Sequence, residues 1–149
     1  MQRLRRDVVY LDADAEILSY PTLFTALPDS VDLAVHFLDW GKHYGHTHGK
    51  LELLTGTLFA RFNDRVMGLL EEWDRACKKA GEEALEQDVL QGLLQTSPWK
   101  DAIQVHPLPA EYCSVVTYDG KIPGYVVDPV ILHHQASREC RGAAQGKFS

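Results

Sequence analysis

Residues 7–15 read DVVYLDADA, a short run of strand-forming residues that ends in two carboxylates one position apart. Val8, Val9, Tyr10 and Leu11 are β-branched, aromatic or aliphatic, and an unbroken apolar run of that length suits a strand buried on both faces. Asp12 and Asp14 then stand where such a strand leaves its sheet. In open α/β sheets ligands bind outside the carboxyl ends of the strands, and aspartates there present hard oxygen ligands to Mg2+ or Mn2+. A cation held in this way is a partner for a diphosphate. Asp-x-Asp is also ordinary turn chemistry, so its meaning depends on the rest of the chain.

The chain has 149 residues, 45% hydrophobic and 24% charged, which suits one domain with a substantial core over residues 1–149. A formal net charge of -6 argues against non-specific nucleic-acid binding, whose footprint is basic. No window approaches the roughly 18 apolar residues of a membrane span, and the N-terminus lacks the apolar segment of a signal peptide. The expected location is cytoplasmic. Cys77, Cys113 and Cys140 are odd in number and widely spaced, which fits reduced thiols.

Beyond the opening strand, Leu18, Leu23, Phe24 and Leu27 between Pro21 and Pro28 predict a single helical turn or short helix. Asp32–Phe37 predicts a strand. Leu38–Lys50 reads as a loop carrying Trp40, Tyr44, His43, His46 and His48, and the segment Leu54–Phe62 contains Gly56 followed by a strand pattern in which Leu58, Ala60 and Phe62 alternate with Phe59 and Arg61. Asn63 is an N-cap for the most regular helical pattern, Val66, Leu69, Leu70, Trp73, Ala76 and Cys77, with Lys78 and Lys79 near its end and Gly81 beyond. A second helix is expected over Ala84–Leu94, extended chain over Ala102–Leu108, strands at Ser114–Tyr118 and Pro129–His133, and a turn at Asp119-Gly120. The tail from Arg138 on is expected to be loosely ordered. Strands separated by helices indicate an α/β or α+β sandwich on a mixed sheet.

In this order the stretches VVYLDADAEIL, LELLTGTLFARF, Glu86-Gln87-Asp88-Val89-Leu90, Leu108-Pro109-Ala110-Glu111-Tyr112 and Val130-Ile131-Leu132-His133 resemble the DxD-containing nucleotide-diphosphosugar glycosyltransferases, of the glycogenin-like and plant and bacterial types. The resemblance covers nearly the whole chain. It implies α/β architecture equivalent to the C-terminal part of a GT-A-type mixed-sheet sandwich. It implies a nucleotide-diphosphosugar donor and an acceptor of unknown identity, with retention of configuration because the family retains.

Residue by residue, the resemblance implies that Asp12, Asp14 and His133 hold Mn2+ or Mg2+, the imidazole favouring Mn2+. It implies that Asp88, beside Gln87, contacts the transferred sugar or the acceptor hydroxyl. Thr55, Gly56 and Thr57 would line the donor sugar, Gly56 by letting the backbone approach closely, and Arg138 would meet phosphate. Two departures stand out: Cys113 occupies a link position that often carries Asn, and the basic-Pro-Trp ending after the His is absent. The βαβ unit that would bind base and ribose takes about 30 residues, yet only eleven precede Asp12, so a truncated product with doubtful activity of its own is expected.

Other readings compete with each assignment. By spacing alone Asp88 is a solvated surface carboxylate, His133 a satisfied polar residue, and Trp40 and Tyr44 either a sugar-stacking platform or anchors for a loop. As a whole the chain also fits a non-catalytic glycosyltransferase fragment acting as an assembly module, associating through an exposed sheet edge beside Val8–Leu11. A third reading is a small zinc protein using His43, His46 and His48, although no acidic or thiol ligand stands close to them.

Overall fold

The computed structural model describes residues 5–45 and 49–135. In chain order it holds β1 (Val8–Leu11), β2 (Ala15–Ile17), α1 (Leu23–Ala26), β3 (Leu33–Asp39), α2 (Trp40–Tyr44), β4 (Leu51–Ala60), α3 (Asp64–Ala80), α4 (Glu86–Leu94), α5 (Trp99–Ala102), β5 (Val105–Pro107), a 3-10 turn at Ala110–Tyr112, β6 (Ser114–Val115) and β7 (Ile131–His133). They form two mixed sheets, one ordered β1-β4-β3-β5 and the other β2-β7-β6. In the larger sheet β4 runs antiparallel to both β1 and β3, while β5 lies parallel to β3. In the smaller one β2 is antiparallel and β6 parallel to β7. This is the mixed α/β arrangement expected from the sequence.

The alternation of side chains along β3 and β4 divides the core in two. Leu33, Val35, Leu53, Leu58 and Ala60 point to one face of the larger sheet and pack with Val66 and Leu69 of α3, Leu90 of α4, and Ile103. Ala34 and Phe59 point the other way, to Leu27, Val31, Leu108, Tyr112 and Ile131. Each fully buried Leu or Val contributes on the order of 1.5–3 kcal/mol of transfer free energy. Helix α3 starts where Asn63, in extended conformation, accepts a hydrogen bond from the Val66 N–H at 2.9 Å, and it stops at Gly81, whose φ of 88° excludes most side chains. Asp32, fully buried at the start of β3, ties this cap to the sheet by accepting from Asn63 Nδ2, Arg65 Nη2 and the Gln104 N–H at 2.8, 2.9 and 3.0 Å.

Three expectations need correction. The strand Val8–Leu11 is not buried on both faces: it is the edge of its sheet, paired only to β4 among the described residues, and Val9 and Tyr10 are 38% and 53% exposed. An apolar run is compatible with an edge strand as well as a central one, and periodicity does not distinguish them. The segment after Leu38 is not wholly loop, because Asp39 caps α2 by accepting from the N–H groups of Gly41 and Lys42. Gly56 lies inside β4 rather than ahead of it.

The feature of β4 that matters most is an irregularity. Against β3, Val35 pairs with Leu58 and the next residue, His36, with Leu54, so Thr55, Gly56 and Thr57 bulge out opposite a single step. Against β1 the pairing runs on to Leu11 and Thr57, with the Asp12 N–H donating to the Gly56 carbonyl at 2.9 Å. Bulges bend a strand and re-aim its side chains, and they are common beside functional sites.

Candidate metal and sugar-nucleotide site

The chain leaves the larger sheet at Leu11 and enters the smaller one at Ala15, so the Asp12-Ala13-Asp14 turn is the hinge between the two sheets. Ala15 pairs with His133 across the β2–β7 ladder. That pairing brings to Asp14 a histidine distant in sequence, and Asp12, Asp14 and His133 each present a ligand atom, all within 4.8 Å of one another. Ligands held at roughly 2.1–2.5 Å from a cation lie within about 4.2–5 Å of each other, so the spacing suits a shared ion. His133 Nδ1 stands 3.6 Å from Asp14 Oδ1, too far for a hydrogen bond.

Gly56 makes this approach possible. A Cβ there would lie 3.0 Å from His133 Cε1 and 3.2 Å from Asp12 Oδ2, so any side chain would push the imidazole and the carboxylate away. Thr57 is fully buried, and its hydroxyl meets His133 Nε2 at 2.9 Å, behind the ring as seen from the aspartates. Burial holds the His133 imidazole below its ordinary pKa, while Asp14 and Asp12 pull the other way, and the neutral ring keeps a lone pair for a cation. Tyr10 donates its phenol hydrogen to Asp12 Oδ1 at 2.9 Å, and that bond, with some desolvation, raises the pKa of the phenol.

Asp12 also borders a cavity of about 390 Å³, with Leu38, Trp40, Tyr44, Glu52 and Gln87 among its walls. Glu52 is buried and accepts from Trp40 Nε1 and, at 2.7 Å, from Gln87 Nε2. Asp12, Glu52 and Glu86 give this cavity three carboxylates, and among the described residues lining it there is no Lys or Arg. A diphosphate entering such an acidic cleft needs a counter-charge, which a cation on Asp12 and Asp14 would provide.

The other expected residues are placed as follows. Gln87 reaches the cleft, whereas Asp88 is exposed in the first turn of α4 and is not one of the residues lining the cavity. Thr55 is buried and turns to the opposite side of β4, bordering an apolar cavity with Val8, Tyr10, Leu58 and Trp73. Trp40 is anchored by Glu52, with Lys50 Nζ 5.8 Å from the centre of its ring and Tyr44 edge-on at 5.1 Å; Tyr44 in turn stacks on Tyr118 at 4.7 Å. His43 is buried, with Nδ1 2.7 Å from the Tyr125 hydroxyl. His46, His48 and Arg138 lie outside the described residues. Neither Glu52 nor the Tyr10 hydroxyl belongs to a motif that would single it out; the visible sign for Glu52 is a charge set between Leu51 and Leu53.

The two mixed sheets thus gather a carboxylate pair and a histidine at their junction, beside an acidic cleft, in a group that could hold a metal ion. The chain belongs to the nucleotide-diphospho-sugar transferase family, whose model matches residues 1–142. No curated protein matches the chain in a sequence search. The family implies a sugar-nucleotide donor. Among the described residues no helix is long and apolar enough to cross a membrane.

Proposed function

We propose that this protein transfers a sugar from a nucleotide-diphosphosugar to an acceptor, with Mn2+ or Mg2+ held by Asp12, Asp14 and His133. The observation that carries the reading is the convergence of ligand atoms from these three residues within 4.8 Å. Hard carboxylate oxygens with one imidazole suit Mn2+ better than Mg2+. A divalent cation bound there supplies Lewis-acid neutralisation of the diphosphate leaving group.

The chain's own residues then have distinct tasks. Asp12 and Asp14 orient the diphosphate end of the donor, and the acidic cleft behind them suits a neutral sugar, whose hydroxyls can donate to Glu52 and exchange hydrogen bonds with Gln87. Gly56 borders the donor at the bulge of β4 by admitting close backbone approach, Thr55 and Thr57 shape that bulge from its buried sides, and Arg138 meets phosphate. Asp88 serves the acceptor hydroxyl or the transferred sugar. Retention of configuration follows the family resemblance, and the edge of β1, unpaired among the described residues, offers a route to association.

The test is a panel of nucleotide-diphosphosugars in a thermal-shift assay, with Mn2+ or with EDTA. The expected result is donor-specific stabilisation that requires Mn2+ and disappears in Asp14→Ala. Equal stabilisation in EDTA would rule out the metal-dependent reading, and no response to any donor in Mn2+ would rule out donor binding by this chain.

A further inference from the structure

We propose that Thr57 is a positioning residue of this centre: its hydroxyl fixes the proton of His133 on Nε2, so that the Nδ1 lone pair faces the cation, and Cys113 holds Thr57 in that role. The inference rests on the metal reading above and adds to it the device that orients the histidine. A neutral imidazole ligates through one nitrogen and keeps a hydrogen on the other, and the partner of the second nitrogen decides which is which. Here the nitrogen nearest the aspartates is Nδ1, 3.6 Å from Asp14 Oδ1, and the nitrogen on Thr57 Oγ1 is Nε2, at 2.9 Å.

The other neighbour of Thr57 offers its hydroxyl hydrogen an acceptor other than His133. Cys113 is buried, and the hydroxyl and backbone N–H of Thr57 beside it favour its thiolate form against the opposing effect of burial. If the hydroxyl hydrogen is spent on Cys113, Oγ1 is left as an acceptor, and only an Nε2–H can satisfy it. The sequence of donors is then His133 Nε2–H to Thr57 Oγ1 and Thr57 Oγ1–H to Cys113 Sγ. The bulge in β4 makes this possible, because Gly56 gives the ring room on one side while Thr57 grips it from behind. The family resemblance implies that Thr57 lines the donor sugar; its complete burial and its bond to His133 give it this separate task.

The experiment uses the full chain without metal, at about pH 8, where an ordinary imidazole is neutral. The nitrogen-15 shifts of His133, assigned against His133→Gln, report its tautomer in wild type, Thr57→Val, Thr57→Ser and Cys113→Ala, and Mn2+ titration of the same proteins followed by the EPR signal of free Mn2+ reports affinity. The expected result is an Nε2–H tautomer in wild type and Thr57→Ser, mixed tautomers in Thr57→Val, and a roughly 10–100-fold loss of Mn2+ affinity in Thr57→Val that Thr57→Ser restores. Cys113→Ala should shift the tautomer and affinity in the same direction, but less. An Nδ1–H tautomer in the wild-type protein would overturn the proposal even if Thr57→Val failed to fold. So would a folded Thr57→Val that kept both the wild-type tautomer and affinity. A wild-type protein with the Nε2–H tautomer but no Mn2+ binding would support the grip of Thr57 on His133 and overturn the metal reading.

Discussion

Two regions of the molecule are built on opposite principles: the apolar core beneath α3 and α4, and the junction between the two sheets. On the α3–α4 side Leu33, Leu53, Val66, Leu69 and Leu90 are almost completely buried among apolar neighbours, and their contribution is bulk burial. At the junction with the smaller sheet the buried groups are Glu52, Thr57, Ser114 and His133, each with a hydrogen-bond partner. Burying a polar group costs free energy unless a partner replaces water, so this second region gains little stability for its burial and instead gains fixed directions. The contrast separates the part of the molecule that holds the fold from the part that gathers the candidate site.

The separation predicts mutants that damage one region and spare the other. Leu69→Ala, in the apolar core, should cost about 2–5 kcal/mol of unfolding free energy, read from urea denaturation, and leave the Mn2+ affinity of the folded protein unchanged. A large loss of affinity in that mutant would erase the distinction. Gly56→Ala should do the reverse. The new Cβ, 3.0 Å from His133 Cε1 and 3.2 Å from Asp12 Oδ2, should lower Mn2+ affinity about tenfold, or about 1.4 kcal/mol, with a stability change below about 1 kcal/mol. Unchanged affinity would show that the glycine is not needed for the approach of these groups.

The smallest expected effect is a pH dependence of the metal-free protein. Burial lowers the pKa of both His36 and His133, so the folded chain binds fewer protons than the unfolded one near the ordinary histidine pKa of about 6.5. Their contribution is therefore complete above that pH and is lost as pH falls through it. Urea midpoints in EDTA should rise from pH 5.5 to 7.5, on the order of tenths of a molar, and the slope should flatten in His36→Gln and in His133→Gln. A flat profile in the wild type would mean that neither imidazole is desolvated as the structure has it.

The apolar region was the more legible of the two. Helix α3 announces itself by a local pattern, an Asn63 cap, repeating apolar residues, terminal lysines and Gly81, because each of those signals acts within a turn or two. The carboxylate pair was also visible, since the end of a strand is a local event. What the sequence does not display is distance across the fold. The pairing of Ala15 with His133 and the bulge that sends Thr57 behind that histidine depend on register between remote strands. An edge strand differs from a central one only by its neighbours, so the apolar run Val8–Leu11 supports burial on both faces and an exposed edge equally, and only the fold shows Tyr10 half exposed. Glu52 reads as one polar residue in an apolar run until α4 delivers Gln87 to it.

The central claim is that Asp12, Asp14 and His133 form one cation site, and anomalous X-ray scattering from crystals soaked in Mn2+ tests it most directly. The account predicts a peak within about 2.5 Å of a carboxylate oxygen of Asp12, one of Asp14, and Nδ1 of His133, and no such peak in Asp14→Ala. A wild-type crystal with that junction empty, or with its manganese on the His43 side of the molecule instead, would contradict it.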